Sequence, residues 1–397
     1  MLLGTALAAR AEIEPDEHGQ ILTLPAAAGP HWVWVPDRLM HHSVLFDGDS
    51  GRVLGTLDGA WTLSGPAPLL APGRGEIVVV DAVYDRGHRG TRRDFATIYD
   101  AVTLAVRDEV EIPPRAASVG HGIALAAVLD DPRFVVVFNQ DPSNSVSVVD
   151  LEGRRFVEEI VVAGCALVYP VGGRRFGTLC GDGTALVVEL DADGRHARSG
   201  RSEPFFDPVT DPLTEKGVRD GARWLFASFE GYLHEVDFAG PGPVLARRWS
   251  LFGDDERQDG WRVGGMQHVA LHRASRRLYS IVHQGGAGSH KDPGTAIWVY
   301  DLDRRARTEV LELATLLPAF LGPLLGIAPG SWWDWLLGVT LPNPGVHSIA
   351  VTQDEAPLLF VRHDEIGAVG VHDALTGARL RTLDEAGISG PTLVVYE

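Results

Sequence analysis

VVDLEGRRF, residues 148–156, is an apolar strand that ends in aspartate, turns through a Glu-Gly pair and returns as a basic strand. The same unit recurs as LFDGDSGRV (45–53), IYDAVTLAV (98–106), ELDADGRHA (189–197), EVDFAGPGP (235–243), VYDLDRRAR (299–307) and VHDALTGAR (371–379). Its marker residues are Asp47, Asp100, Asp150, Asp191, Asp237, Asp301 and Asp373. At the first position of a hairpin turn an aspartate accepts backbone N–H bonds from residues just ahead, so all seven read as structural and none as catalytic. The intervals of 53, 50, 41, 46, 64 and 72 residues fit a four-stranded propeller blade, with loop insertions in the last two. Seven markers predict an all-β chain folded as a single seven-bladed β-propeller.

The rest of the chain agrees with that reading. Short runs rich in Val, Ile, Phe and Tyr, such as EIVVVDAVYD (76–85), RFVVVFNQD (133–141) and RRLYSIVHQ (276–284), alternate with Gly, Asp and Pro turns,. Amphipathic helices are absent outside 311–341, which disfavours the α/β classes. The segments GQILTLPA (19–26) and PTLVVYE (391–397) are both strand-like, and pairing them in one blade would close the ring and remove its open edge. Residues 1–11, MLLGTALAARA, read as the later part of a secretory signal with an A-x-A cleavage site,. That leaves 12–397 for the propeller.

Composition narrows the function. The chain has 397 residues, 45% of them apolar, and a net charge of −18, a field that repels phosphate backbones and anionic lipid headgroups. Nucleic acid is therefore not an expected partner. Two cysteines exclude zinc-ribbon and iron–sulfur sites. They flank CALVYPVGGRRFGTLC, a hairpin pattern that can bring Cys165 and Cys180 within disulfide reach, and export favours the bond over two buried thiols,.

Self-sufficient catalytic motifs are missing: there is no G-x-S-x-G, H-E-x-x-H, P-loop or dinucleotide fingerprint. QGGAGSHK (284–291) lacks the phosphate-cradle frame and reads as a hairpin loop,. The histidines are scattered. His268 and His272, four apart in MQHVALHR, fall on one face of a strand and read as structural, with no metal site expected,. One stretch breaks the blade pattern: residues 314–345 carry Trp332, Trp333 and Trp335 and a single charge, Asp334. Prolines 318, 323 and 329 cut it too short to cross a bilayer as one helix,. Either it folds back on the propeller, or it forms an exposed apolar patch for a partner. The second reading is favoured, with a protein rather than a membrane as the partner.

DGDSGRVLGTLDGAW (47–61), VVDLEGRRF (148–156), the two-cysteine hairpin, DGWRVGGMQHVALHR (259–273), HK (290–291) and VTQDEAPLLF (351–360) together resemble the heavy subunit of the methylamine and aromatic amine dehydrogenases. The resemblance runs from about residue 20 to the C-terminus. It implies a periplasmic complex in which this chain carries no catalytic residue and no cofactor. A small disulfide-rich light chain would hold tryptophan tryptophylquinone, oxidise a primary amine to aldehyde and ammonia, and pass electrons to a cupredoxin or a cytochrome c. This chain would supply scaffold, substrate channel and docking surface. The family's D-G-G-F segment, whose phenylalanine lines the channel, corresponds to Asp58-Gly59-Ala60-Trp61, making Trp61 the expected channel residue; the bland alternative is a core aromatic. Met266 replaces the aromatic that follows the family's Gly pair. The rival reading is a non-catalytic propeller that binds a protein through its Trp-rich insertion.

Overall fold

The computed structural model describes residues 23–37, 39–59, 67–87, 89–117, 123–312, 331–333, 345–363, 367–384, 386–387, 390 and 392–396. Within them the strands form seven antiparallel sheets arranged as the blades of a propeller. From the axis outward, blade 1 consists of Val394–Val395, Trp32–Asp37, His42–Asp47 and Val53–Asp58. Blade 2 follows with Leu69–Ala71, Glu76–Tyr84, Arg92–Asp100 and Val106–Ile112, and blade 3 with Ala126–Val128, Phe134–Asn139, Ser145–Asp150 and Arg155–Val161. Blade 4 contains Cys165–Pro170, Arg175–Cys180, Ala185–Leu190 and His196–Arg201; blade 5 contains Val218–Asp220, Arg223–Ala227, Tyr232–Asp237 and Val244–Ser250. In blade 6 two short inner pieces, Trp261–Val263 and Val269–His272, share the partner Arg277–Gln284, with Ala296–Asp301 and Ala306–Glu312 outside. Blade 7 has Ser348–Val351, Leu358–His363, Ala368–Asp373 and Arg379–Leu383. The long apolar runs of the sequence are second strands, buried on both faces against neighbouring blades.

Every marker aspartate stands at the turn between the third and fourth strands of its blade. Asp100 accepts from the N–H groups of Val102 (2.8 Å) and Thr103 (2.7 Å), Asp301 from Asp303 (3.0 Å) and Arg304 (2.9 Å), and Asp373 from Leu375 (2.9 Å) and Thr376 (2.8 Å). Asp47, Asp150, Asp191 and Asp237 make the same kind of bond. These turns share one face of the disc, here called the aspartate face. Antiparallel alternation puts the blade-to-blade crossovers and the turns between second and third strands on the opposite one, the crossover face.

Burial follows the same repeat. The core consists of seven apolar clusters, one at each blade-to-blade interface. In WVWV (32–35) the period of two is read directly: Trp32 and Trp34 pack toward blade 2, and Val33 and Val35 toward blade 7,.

The ring closes differently from the sequence expectation. The C-terminal strand pairs with Trp32–Asp37, Val33 opposite Val395 and Trp34 opposite Val394; of the expected partner 19–26, residues 19–22 lie outside the described residues. Residues 23–26 are not in a strand, and Leu24 donates its N–H to Val102 O (2.8 Å) on the aspartate face. Both candidate segments are apolar, but only WVWV offers two apolar faces to two blades. A short helix, Asp254–Gln258, in the crossover to blade 6 was also not anticipated.

Two side chains reinforce closure. Arg362, 0% exposed, donates to the carbonyls of Pro36 (2.9 Å), Thr392 (3.1 Å) and Ala386 (3.4 Å). On the aspartate face His31 sits between Asp49 of blade 1 (Nδ1, 2.8 Å) and Asp354 of blade 7 (Nε2, 2.8 Å). Donation from both nitrogens requires the imidazolium. Burial alone would lower the pKa of His31, but the two carboxylates outweigh it and raise the value. A raised folded-state pKa gives stability that is fully present below the ordinary histidine value and lost as pH climbs through the raised one. Wild type should therefore lose up to about 1 kcal/mol in that window, read as a Tm that falls as pH rises past the ordinary histidine value. His31→Gln should show no such step; an identical pH profile in the variant would remove the latch.

Candidate functional site at the crossover face

The innermost strand of blade 6 is interrupted by five residues, Gly264-Gly265-Met266-Gln267-His268, which leave the sheet and return to it. Both glycines are required there. A Cβ on Gly264 would lie 2.6 Å from His283 Nδ1, and Gly265 has φ +82° with His347 O only 2.6 Å from its missing Cβ,. The excursion is tied across the blades: Met266 and Gln267 donate their N–H groups to His347 O (2.6 and 3.1 Å). The Gln267 side chain accepts from Leu393 N (2.9 Å) and donates to Leu393 O (3.1 Å), so blade 6 grips the closing segment of blade 1.

Beside it the chain entering blade 5 also bulges. Thr214 N bonds Ala227 O (2.8 Å) and pairing resumes at Val218 opposite Leu225, leaving Glu215-Lys216-Gly217 out of register. Thr214 Oγ1 meets His268 Nε2 at 2.7 Å, and Tyr169 donates to Glu215 O (2.8 Å) from blade 4. Lys216, 4% exposed, is ion-paired with Glu215. From the turn of blade 6 on this face, His290 stacks on Phe229 of blade 5 with ring centroids 3.4 Å apart. The adjacent Lys291 acts electrostatically on Lys216.

The electrostatics are those of a dry cluster. Burial, reinforced by Lys216, pushes His268 down to about 3, so it is neutral at pH 7. Glu215 is held down at about 2 although burial opposes this, because Lys216 lies against it. Lys216 is itself lowered by burial and by Lys291, with Glu215 pulling the other way. Such a group of shifted ionisable residues at the mouth of a fold marks a functional-site candidate.

The residues singled out in the sequence fall as follows. Cys165 and Cys180 are disulfide-bonded between the two inner strands of blade 4, directly opposite in register. Asp58 and Gly59 end the outer strand of blade 1 on the crossover face, Gly59 N bonding His41 O (2.7 Å). Trp61 lies outside the described residues, as do Trp335 and most of 314–345. Trp332 and Trp333 are described: they are 62% and 58% exposed, edge to face at 5.1 Å. The last described residues on either side of that stretch, Glu312 and Gly345, stand at the crossover between blades 6 and 7.

His268 and His272 do not share a face, as their spacing suggested. The excursion takes His268 to Thr214 of blade 5, while His272 bonds Ser275 (2.7 Å) and Asp354 O of blade 7 (3.0 Å). Among the described residues no three His, Cys, Asp or Glu side chains are grouped to hold a metal ion. The loop 284–291, set aside in the sequence, delivers His290 and Lys291 to the site. Lys216 was missed as well. The available signal was compositional: of 35 basic residues, 33 are Arg and the 2 lysines are these two.

Seven blades around one axis, with a buried charged cluster on the crossover face, define a large β-propeller with a candidate binding face,. The comparisons make this particular. The family model "Methylamine dehydrogenase heavy chain (MADH)" matches residues 33–317, and the chain belongs to that family. It is 28% identical over 354 residues to the methylamine dehydrogenase heavy chain of Paracoccus versutus, covering 88% of this chain and 74% of the relative. To that of Methylorubrum extorquens it is 26% identical over 401 residues, covering 99% and 89%. Among solved structures, the Myceliophteria thermophila Cps50 (Swd1) β-propeller domain superposes with a TM-score of 0.54 at 11% identity, covering 89% of this chain and 96% of that one, a likeness of fold alone.

Proposed function

We propose that this chain is the heavy subunit of a periplasmic amine dehydrogenase whose small light chain carries tryptophan tryptophylquinone and sits over the crossover face. The observation that carries the reading is the family match across blades 1 to 6. The light chain's quinone supplies the oxidation of a primary amine to aldehyde and ammonia, with electrons leaving to a cupredoxin or cytochrome c. The residues of this chain position and exclude. The glycine-built excursion fixes Met266 near the axis, the neutral His268 and the Glu215–Lys216 pair set the polarity of the mouth, and Trp332 and Trp333 offer exposed apolar surface for a partner,.

Affinity purification of the tagged chain from its host, followed by mass spectrometry, tests the assembly. A small chain containing crosslinked tryptophans is the expected companion; an unrelated partner, or none, contradicts the proposal. Trp61 is our candidate for the amine channel, on the resemblance of Asp58-Gly59-Ala60-Trp61 to the family's D-G-G-F segment. Trp61→Ala in the assembled complex should shift relative kcat/KM between small and bulky amines by roughly tenfold, the discrimination one lost apolar contact gives. Unchanged ratios would take Trp61 off the channel.

A further inference from the structure

Cys165 opens the innermost strand of blade 4 and Cys180 closes the next, so their disulfide stands at the crossover-face end of that hairpin. The backbone beside it is bare. Gly164 precedes Cys165 and Gly181 follows Cys180; a Cβ on Gly164 would meet nothing within 4 Å, and one on Gly181 only Gly164 O at 3.8 Å. The turn that delivers Cys165, closed by its N–H to Val162 O (2.8 Å), forms one wall of a groove of about 420 Å3. The outer strands of blade 4 form the other wall, at Leu186 and at Ser199, Gly200 and Arg201. Arg201 both lines this groove and touches the bond. Its Nη1 is occupied by Thr184 Oγ1 (2.8 Å) and Asp182 Oδ2 (3.2 Å), while its Nη2 has Cys165 Sγ, 3.5 Å away, as its only hydrogen-bond partner among the described residues. Sulfur is a weak acceptor, so a guanidinium N–H aimed at it keeps most of its capacity for an anion.

We propose that this groove is a thiol-exchange site: it takes small anionic thiols, Arg201 holds the anionic group, and Cys165 Sγ is the atom attacked. The guest reacts as its thiolate, its proton released to solvent, and its sulfur bonds to Cys165 Sγ as the Cys165–Cys180 bond breaks. The electron pair of that bond leaves on Cys180 Sγ, which takes a proton from solvent. One disulfide replaces another, so no separate oxidant or reductant is consumed. Size and charge set the ligand class. The groove falls within the range of small-molecule sites, about 300–1,000 Å3, and offers an apolar wall from Val161, Val162 and Leu186 beside a single cation. Arg201 meets Cys165 and not Cys180, which fixes the sulfur attacked. Cys165 is 1% exposed, so attack requires the Arg201 side chain to swing off the sulfur; long and 42% exposed, it can do so without displacing the core. The inference does not rest on the amine-oxidising reading.

The test compares two thiols of similar size, mercaptoethanesulfonate and the uncharged mercaptoethanol, at equal thiolate concentration. The purified chain, with any light chain that accompanies it, is treated in about 0.15 M salt, which screens charges beyond about 8 Å, then quenched with N-ethylmaleimide and mapped by peptide mass spectrometry. The guest thiol should appear on Cys165 and the maleimide on Cys180, with the sulfonate reacting roughly three- to fivefold faster, the size of one partly exposed ion pair. Arg201→Met should bring the two thiols to equal rates, and Arg201→Lys, which keeps the charge, should keep the preference; a merely structural arginine would alter neither the ratio nor the site. Guest thiol on Cys180, equal rates in wild type, a preference that survives Arg201→Met, or a bond that neither thiol opens in the folded chain overturns the inference.

Discussion

Arg362→Met should destabilise the propeller by about 3–5 kcal/mol, the range for breaking a buried charged interaction. The guanidinium is wholly enclosed and holds three carbonyls from three separate segments: the end of Trp32–Asp37, Ala386 and Thr392. Methionine keeps much of the stem and provides no donor. Each carbonyl left buried without a partner costs about 1–3 kcal/mol, offset in part by the desolvation that the buried charge no longer requires. The segments involved join the last blade to the first, so the loss should appear as a lower urea midpoint and as earlier hydrogen exchange at Val394 and Val395. A loss under about 1 kcal/mol would mean that water replaces the guanidinium and that closure rests on strand pairing alone.

Removing the Cys165–Cys180 bond has the next largest expected effect. It closes a loop of 15 residues, for which loss of unfolded-state constraint corresponds to about 3 kcal/mol. The double variant Cys165→Ala, Cys180→Ala is the cleaner test, because serine would add buried hydroxyls. Both sulfurs pack in the cluster between blades 3 and 4 with Val168, Phe176 and Val188, so truncation adds a small cavity. Wild type under a reductant should fall most of the way to the variant's urea midpoint. A reduced wild type as stable as the oxidised one would show that the hairpin register, not the bond, holds these strands.

What the sequence revealed and what it hid have physical causes. The blade count was legible because the marker aspartates act locally: each carboxylate meets N–H groups two or three residues ahead, as at Asp100 and Asp373, so the signal survives without tertiary knowledge. The cysteine pair was legible for the same reason, two strands joined by a short turn. The closing partner was not. Residues 19–26 and 32–37 are both apolar, and the choice depends on the two flanking blades. The histidine spacing misled because Gly264 and Gly265 let the strand break, which sends His268 and His272 to different neighbours. The Glu215–Lys216 and His290–Lys291 cluster depends on contacts between blades 5 and 6. Its only trace in sequence was the scarcity of lysine.

The heavy-subunit reading is tested most directly by the visible spectrum of the complex that the tagged chain brings down, recorded before and after anaerobic addition of a primary amine. A quinone absorbance that bleaches on amine addition, in a complex whose small chain carries crosslinked tryptophans, is the predicted result. A colourless preparation, or a spectrum that primary amines leave unchanged, would contradict it.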